Sequence, residues 1–191
     1  MTSDLSIKEL SQLVPWAKYP SNELVFFDLE TTGFDEKDLI TEIGAVRLKR
    51  GAESLERFSV LFTVDRPIPQ EVVEITGITD QLLKEQGQPF YIAFAKFKEF
   101  VRDSDLFAYN VRFDRKFIVS LTKKYNITFS NYMGDSMLVC RKAFNLKGRK
   151  LSDLAEHLGI NYEGAHRADV DSEIGLRCFI AALNELEQMG D

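Results

Sequence analysis

Hydrophobic and polar positions divide this chain into short blocks, and the sharpest block comes early. Leu24-Val25-Phe26-Phe27 is continuously apolar, and the run then breaks into Asp28-Leu29-Glu30-Thr31-Thr32-Gly33. In a strand, side chains alternate between faces, so Leu24, Phe26, Asp28 and Glu30 share one face and Val25, Phe27 and Leu29 share the other. Apolar residues on both faces predict a central strand covered on both sides. Asp28 and Glu30 then lie side by side at its C-terminal end. Two neighbouring carboxylates at the edge of a core repel each other and lose hydration, which favours protonation unless a cation intervenes. A hard divalent ion with a preference for oxygen ligands is the simplest remedy.

The flanking patterns predict the remaining elements. Residues 4–15 read as a short amphipathic helix with Leu5, Leu10, Leu13 and Val14 on one side, Ser3 or Asp4 as cap and Pro15 as limit. Residues 40–48 and 55–64 read as two further strands, and their short connections make them antiparallel neighbours of the first. Residues 70–76 and 79–85 read as short helices, and 91–101 as a stronger one. A short strand at 106–109 precedes a helix at 112–125, where Phe113, Phe117, Leu121 and Tyr125 recur every four residues. Helices at 135–144, 151–158 and 168–189 complete the chain. Three strands followed by alternating helices and strands indicate an α/β sheet of mixed direction.

Composition narrows the class without choosing a function. At 191 residues with 45% apolar and 28% charged side chains, the chain fits one globular domain with a sizeable core. No apolar run approaches the roughly 20 residues of a membrane span, and Met1-Thr2-Ser3-Asp4 lacks the basic and apolar regions of a secretory signal. Cys140 and Cys178 have no metal-site spacing, which predicts two reduced thiols in a cytoplasmic protein. The net charge of −6 argues weakly against non-specific nucleic-acid binding. It leaves room for an enzyme that gathers carboxylates around metal and keeps a local basic strip, for which Arg141, Lys142, Lys147, Arg149 and Lys150 are candidates.

Further polar residues fall at strand ends and helix starts, where α/β folds collect ligand groups. Asn110 and Asp114 flank the start of the helix at 112–125, and His166, Asp169 and Asp171 the start of the last helix. Singly, each has a structural reading: Asn110 as an N-cap, Asp114 and Asp169 as first-turn acids favoured by the helix dipole. His157, near the end of an ordinary amphipathic helix, reads as structural.

Together these residues form a recognisable set. Asp28-Leu29-Glu30-Thr31-Thr32-Gly33 resembles the first motif of the DEDDh, or DnaQ-like, family of 3′→5′ exonucleases, which includes the proofreading epsilon subunit of bacterial DNA polymerase III. Asn110-Val111-Arg112-Phe113-Asp114 resembles the second motif, and His166-Arg167-Ala168-Asp169-Val170-Asp171 the third. Ile43-Gly44-Ala45-Val46 and Thr76-Gly77-Ile78-Thr79 resemble stretches between the first two. The resemblance covers about residues 24–183 and implies an RNase H-like fold around a mixed five-stranded sheet flanked by helices. It divides the chain into an N-terminal helical extension, 1–21, and an exonuclease domain, 22–191. It implies Asp28, Glu30, Asp114 and Asp171 as metal-binding acids and His166 as general base. Five residues rotate a helix by about 140°, so His166 is expected on a loop rather than on the helix that carries Asp171.

The implied reaction is hydrolysis of the terminal phosphodiester at the 3′ end of single-stranded DNA or a mismatched primer, releasing nucleoside 5′-monophosphates. Two Mg²⁺ ions about 4 Å apart, replaceable by Mn²⁺, would assist it. Thr31, Thr32, Asn110 and Phe113 are the candidates for substrate contact, although the threonines could equally shape the turn. Trimming of RNA 3′ ends is an alternative that the motifs leave open, because sugar choice depends on contacts near the 2′ position. A catalytically silent nucleic-acid-binding module is a third reading. The partners expected are a single-stranded 3′ end and a polymerase or repair protein, with no membrane. The chain ends close to the last expected core positions, which favours a stand-alone nuclease or an excised domain.

Overall fold

The computed structural model describes residues 5–35, 37–145, 148 and 150–190. Its centre is a five-stranded sheet of β1 (Glu23–Thr31), β2 (Ile40–Lys49), β3 (Glu56–Leu61), β4 (Leu106–Ala108) and β5 (Met133–Asp135), in the order β3-β2-β1-β4-β5. β1 pairs antiparallel with β2, which pairs antiparallel with β3. β4 and β5 run parallel to β1. The helices are α1 (Ile7–Leu13), α2 (Gln70–Thr76), α3 (Asp80–Gln86), α4 (Phe90–Val101), α5 (Val111–Lys124), α6 (Ser136–Ala143), α7 (Leu151–Leu158) and α8 (Ala168–Met189). This is an RNase H-like α/β fold.

The alternation in β1 sorts the layers. Val25, Phe27 and Leu29 pack with Phe94 and Phe97 of α4 and with Phe117 and Ile118 of α5. Leu24 and Phe26 face the other way, onto Leu176, Phe179 and Ile180 of α8 and Leu10 of α1. β1 is therefore covered on both sides, and the face that carries Asp28 and Glu30 is the face that α8 covers. Cys140 and Cys178 are buried in a third cluster under α6, α7 and α8, and neither forms a disulfide. His157 packs its ring 5.8 Å from that of Phe144.

The element boundaries differ from the pattern in instructive places. α1 begins at a Ser6 cap, where Ser6 accepts from the Glu9 N–H and Glu9 accepts from the Ser6 N–H. Ser3 and Asp4, the caps expected from sequence, lie outside the described residues. β3 stops at Leu61 because the chain turns to join another segment: Thr63 N–H donates to the Gln88 carbonyl and Gln88 N–H to that of Leu61. β5 has three residues including Gly134, too short to show alternation. No helix among the described residues is long and apolar enough to cross a membrane.

Candidate active site

The candidate site is built at the C-terminal end of β1, where three elements converge. Asp28 pairs with Gly44 across the β1–β2 ladder and Glu30 pairs with Glu42, with a register shift directly after Glu30. A bulge there turns the chain away from the sheet into the 31–39 loop. The first turn of α8 lies directly on Gly44: a Cβ at that position would sit 2.1 Å from the Asp169 nitrogen and 2.3 Å from the Ala168 carbonyl carbon. The absent side chain is what lets the helix approach, and the approach sets Asp171 beside β1. Carboxylate oxygens of Asp28, Glu30 and Asp171 all lie within 4.8 Å of one another. Asp114, 1% exposed, enters from the first turn of α5.

These carboxyl groups resist ionisation. Burial pushes Asp28 well above the carboxylate range, and Asp114, Glu30 and Asp171 add repulsion. Glu30 is raised from 4.5 to about 8, by burial first and then by Asp171 and Glu42, with Arg167 opposing. Asp114 is raised to about 8 by burial, against favourable interactions with its own N–H and that of Leu29. Asp171 is raised by burial as well, although the His166 N–H donates to its Oδ2 at 3.1 Å. Oδ1 of Asp114 and Oδ1 of Asp171 are buried and accept no hydrogen bond. Unpartnered carboxylate oxygens beside mutually repelling acids are what a hard divalent cation would satisfy, so this donor set fits Mg²⁺ or Mn²⁺.

His166 occupies an exposed loop immediately before α8, with φ of +66°. It is off the helix, as the five-residue spacing implies. A second carboxylate holds the neighbouring residue. Glu42 is fully buried and accepts from Arg167 Nε at 3.0 Å, Arg167 Nη2 at 2.7 Å, the Ala168 N–H at 3.1 Å and Ser59 Oγ at 2.7 Å. Burial raises its pKa, and the hydrogen bonds from Arg167, Ser59 and Ala168 outweigh burial, leaving it below the ordinary value. Glu42 thus ties the His166–Ala168 segment to β2. Sequence reasoning missed it; the available signal was an acid inside an apolar strand. Asp169 points away from the cluster, towards Arg57 Nη1 at 3.4 Å.

Beside the acids opens a cleft of about 550 Å³. Glu30, Thr31, Asn110, Phe113 and His166 line it, together with Phe34, Ile75, Lys150 and Tyr162. Thr31 Oγ1 donates to the Gly33 carbonyl at 2.6 Å, and Thr32 Oγ1 accepts from the Leu39 N–H at 3.0 Å. Both hydroxyls therefore shape the 31–39 loop, and Thr32, 4% exposed, is not among the cleft residues. Asn110 holds the N-cap position of α5 in a left-handed conformation, but its side chain caps nothing. The expected side-chain cap is thus absent, because a left-handed backbone turns the residue away from the first helical amides. Sequence reasoning also passed over Phe34, Ile75 and Tyr162. Phe34 is 84% exposed with its ring 6.0 Å from that of Phe113, and Tyr162 stands edge-on to His166 at 6.0 Å. Of the basic strip, Arg141, Lys142 and Lys150 are exposed, while Lys147 and Arg149 lie outside the described residues.

Comparison with known proteins gives a consistent family. The family described as Exonuclease (RNase_T) matches residues 25–179. A DNA polymerase III PolC-type protein of Clostridium perfringens is 41% identical over 155 residues, covering 80% of this chain and 10% of its own length. The DNA polymerase III subunit epsilon of Aquifex aeolicus is 37% identical over 166 residues, covering 85% of this chain and 81% of its own. The chain therefore spans only about a tenth of the PolC-type relatives and most of the epsilon subunit. Among solved structures, E. coli exonuclease I in complex with a dT13 oligonucleotide superposes with a TM-score of 0.75 at 20% identity, over 89% of this chain and 43% of that one.

Proposed function

Because this chain belongs to the RNase_T exonuclease family, we propose that it is a metal-dependent 3′→5′ exonuclease that shortens single-stranded or frayed DNA ends one nucleotide at a time. The observation that carries this reading is the meeting of Asp28 and Glu30 from β1 with Asp114 from α5 and Asp171 from α8, beside a cleft that His166 lines. In this reading Asp28, Glu30, Asp114 and Asp171 hold two Mg²⁺ ions. Bound there, the ions would supply Lewis acidity and offset negative charge on the phosphoryl oxygens and on the leaving oxygen.

The chain's own residues do the rest. His166 takes a proton from the attacking water onto an imidazole nitrogen, the task for which histidine is most often used. The water oxygen bonds to phosphorus as the bond to the 3′ oxygen breaks, and a proton restores the 3′ hydroxyl of the shortened strand. The products are a nucleoside 5′-monophosphate and a strand one residue shorter. The Asp171–His166 hydrogen bond holds the histidine loop against the acids. Phe34 and Ile75 offer apolar surface for the terminal base, since stacking on aromatic groups is favourable and sequence-tolerant. Leu29, Glu30, Thr31 and Gly33, which line the cleft, meet the terminal nucleotide. Relatives named as DNA polymerase III proteins favour DNA over RNA, and a polymerase as partner.

The test compares end-labelled single-stranded DNA, a mismatched primer-template and short RNA, each with Mg²⁺ and with Mn²⁺. Ladders of single-nucleotide steps from the 3′ end of DNA are expected. Asp28→Ala should lower turnover at least about 10³-fold, a loss of roughly 4 kcal/mol of transition-state stabilisation, with unchanged far-ultraviolet dichroism. Wild-type turnover by that variant would end the proposal.

A further inference from the structure

Helix α5 carries Arg112, Arg115, Lys116, Lys123 and Lys124 against a single acid, Asp114, which is buried, in a protein of net charge −6. At about 100° per residue, Arg112, Arg115, Lys116, Val119 and Lys123 fall within an arc of about 100°, and Asp114 lies on the opposite side. Arg112, Arg115 and Lys123 are exposed. Among the described residues Arg112 and Arg115 make no ion pair. Their placement is electrostatically costly: three cations occupy the first two turns, at the positive end of the helix dipole. An anion laid along this face would relieve that cost.

The face is also continuous with the cleft. Lys116 donates its ammonium to the Phe34 carbonyl and lies 4.9 Å from the centroid of Phe113, and both aromatic residues line the cleft. Beyond Lys116 a shallow groove continues along Arg112, Arg115, Val119 and Ser120. We propose that this face of α5 carries the phosphodiester backbone of the strand whose 3′ end occupies the cleft. Arg112 and Arg115 contact phosphates just upstream, and Lys123 extends the track to a span of about 16 Å. The proposal rests on the exonuclease reading for the position of the 3′ end, but its electrostatic content can be measured without turnover.

The test uses the full chain in an Asp28→Ala background and follows binding of a labelled long oligothymidylate by fluorescence anisotropy across a salt series. Neutralising two phosphate contacts should weaken affinity at low salt and flatten the slope of log Kd against log salt by about 1.4 in Arg112→Ala/Arg115→Ala. Arg115→Ala alone should flatten it by about 0.7. Lys84→Ala/Lys96→Ala, an equal charge change at exposed positions on α3 and α4 outside the groove, should leave the slope as it was. With Asp28 intact, the ratio of kcat/KM on the long strand to that on a dinucleotide should fall at least about tenfold in the double arginine variant. An unchanged slope, an equal flattening in the lysine control, or an equal loss on both substrates would each overturn the proposal. No turnover of any nucleic acid by the wild type would defeat the exonuclease reading instead, and the anisotropy series would still decide the α5 track.

Discussion

Burial strips Asp28 and Glu30 of hydration and Asp171 lies within the same few ångströms, so both carboxyl groups are pushed above the ordinary carboxylate range. The consequence for stability has a definite sign. Glu30 in the folded state titrates at about 8 rather than 4.5, so between those values the native state binds a proton that the unfolded chain has released. Stability in EDTA should therefore fall as pH rises from about 5 to about 8. A divalent ion replaces the missing positive charge, so the increase in Tm on adding Mg²⁺ should grow over the same interval. Thermal unfolding with EDTA and with Mg²⁺ measures both, and a pH-independent gap between the two curves would show that these carboxylates do not face the ion. Glu42 has the opposite character, a buried carboxylate whose partners are all provided by the protein. Glu42→Gln removes its charge and loosens the His166–Ala168 segment from β2. The expected loss is about 10–100-fold in kcat with KM nearly constant, the usual scale for a residue that orients a metal ligand or base. A rise in KM with kcat retained would assign Glu42 to substrate binding. The motifs singled out His166 and Asp171 in the sequence, but Glu42 remained hidden because its partner Arg167 is 125 residues away.

At the scale of elements, strand and helix starts do the positioning. β1 was legible because nine residues with apolar groups on both faces cannot be anything but central. β5 was not, because three residues around a glycine carry no period. α8 was legible from its length, but its closeness to the sheet was not; that depends on Gly44 having no side chain. Gly44→Ala forces a methyl against the backbone of Ala168 and Asp169, and overpacking of this kind costs about 1–3 kcal/mol. Because the helix start must move, Asp171 moves with it. Activity should fall much further than urea-measured stability suggests; full activity in a stable variant would mean that α8 can shift without disturbing the acids. The 31–39 loop is similar: its threonines are plain in the sequence, while the exposure of Phe34 over the cleft depends on how Thr32 and Leu39 close the loop.

Across the whole molecule, charge is segregated. Carboxylates concentrate at the C-terminal end of β1, and the exposed α5 face turns cationic against a net charge of −6. Total charge argued against nucleic acid, and only the folded arrangement separates the acids that face the cleft from the cations beside it. Leu10 of α1 and Val14 just after it are buried in one cluster with Phe26, Leu176 and Phe179, so the N-terminal helix shares a core with the central strand and the last helix. By itself, the sequence determined the central strand, the order of the helices and the three motifs, because these depend on local period and on residues close together in the chain. The tertiary structure decided which carboxylates lie within ligand distance, which acid is neutralised by Arg167, and where Phe34 and the α5 cations stand relative to the cleft. Those are relations between residues far apart in the chain, and contact, burial and electrostatic repulsion arise only once folding has brought them together.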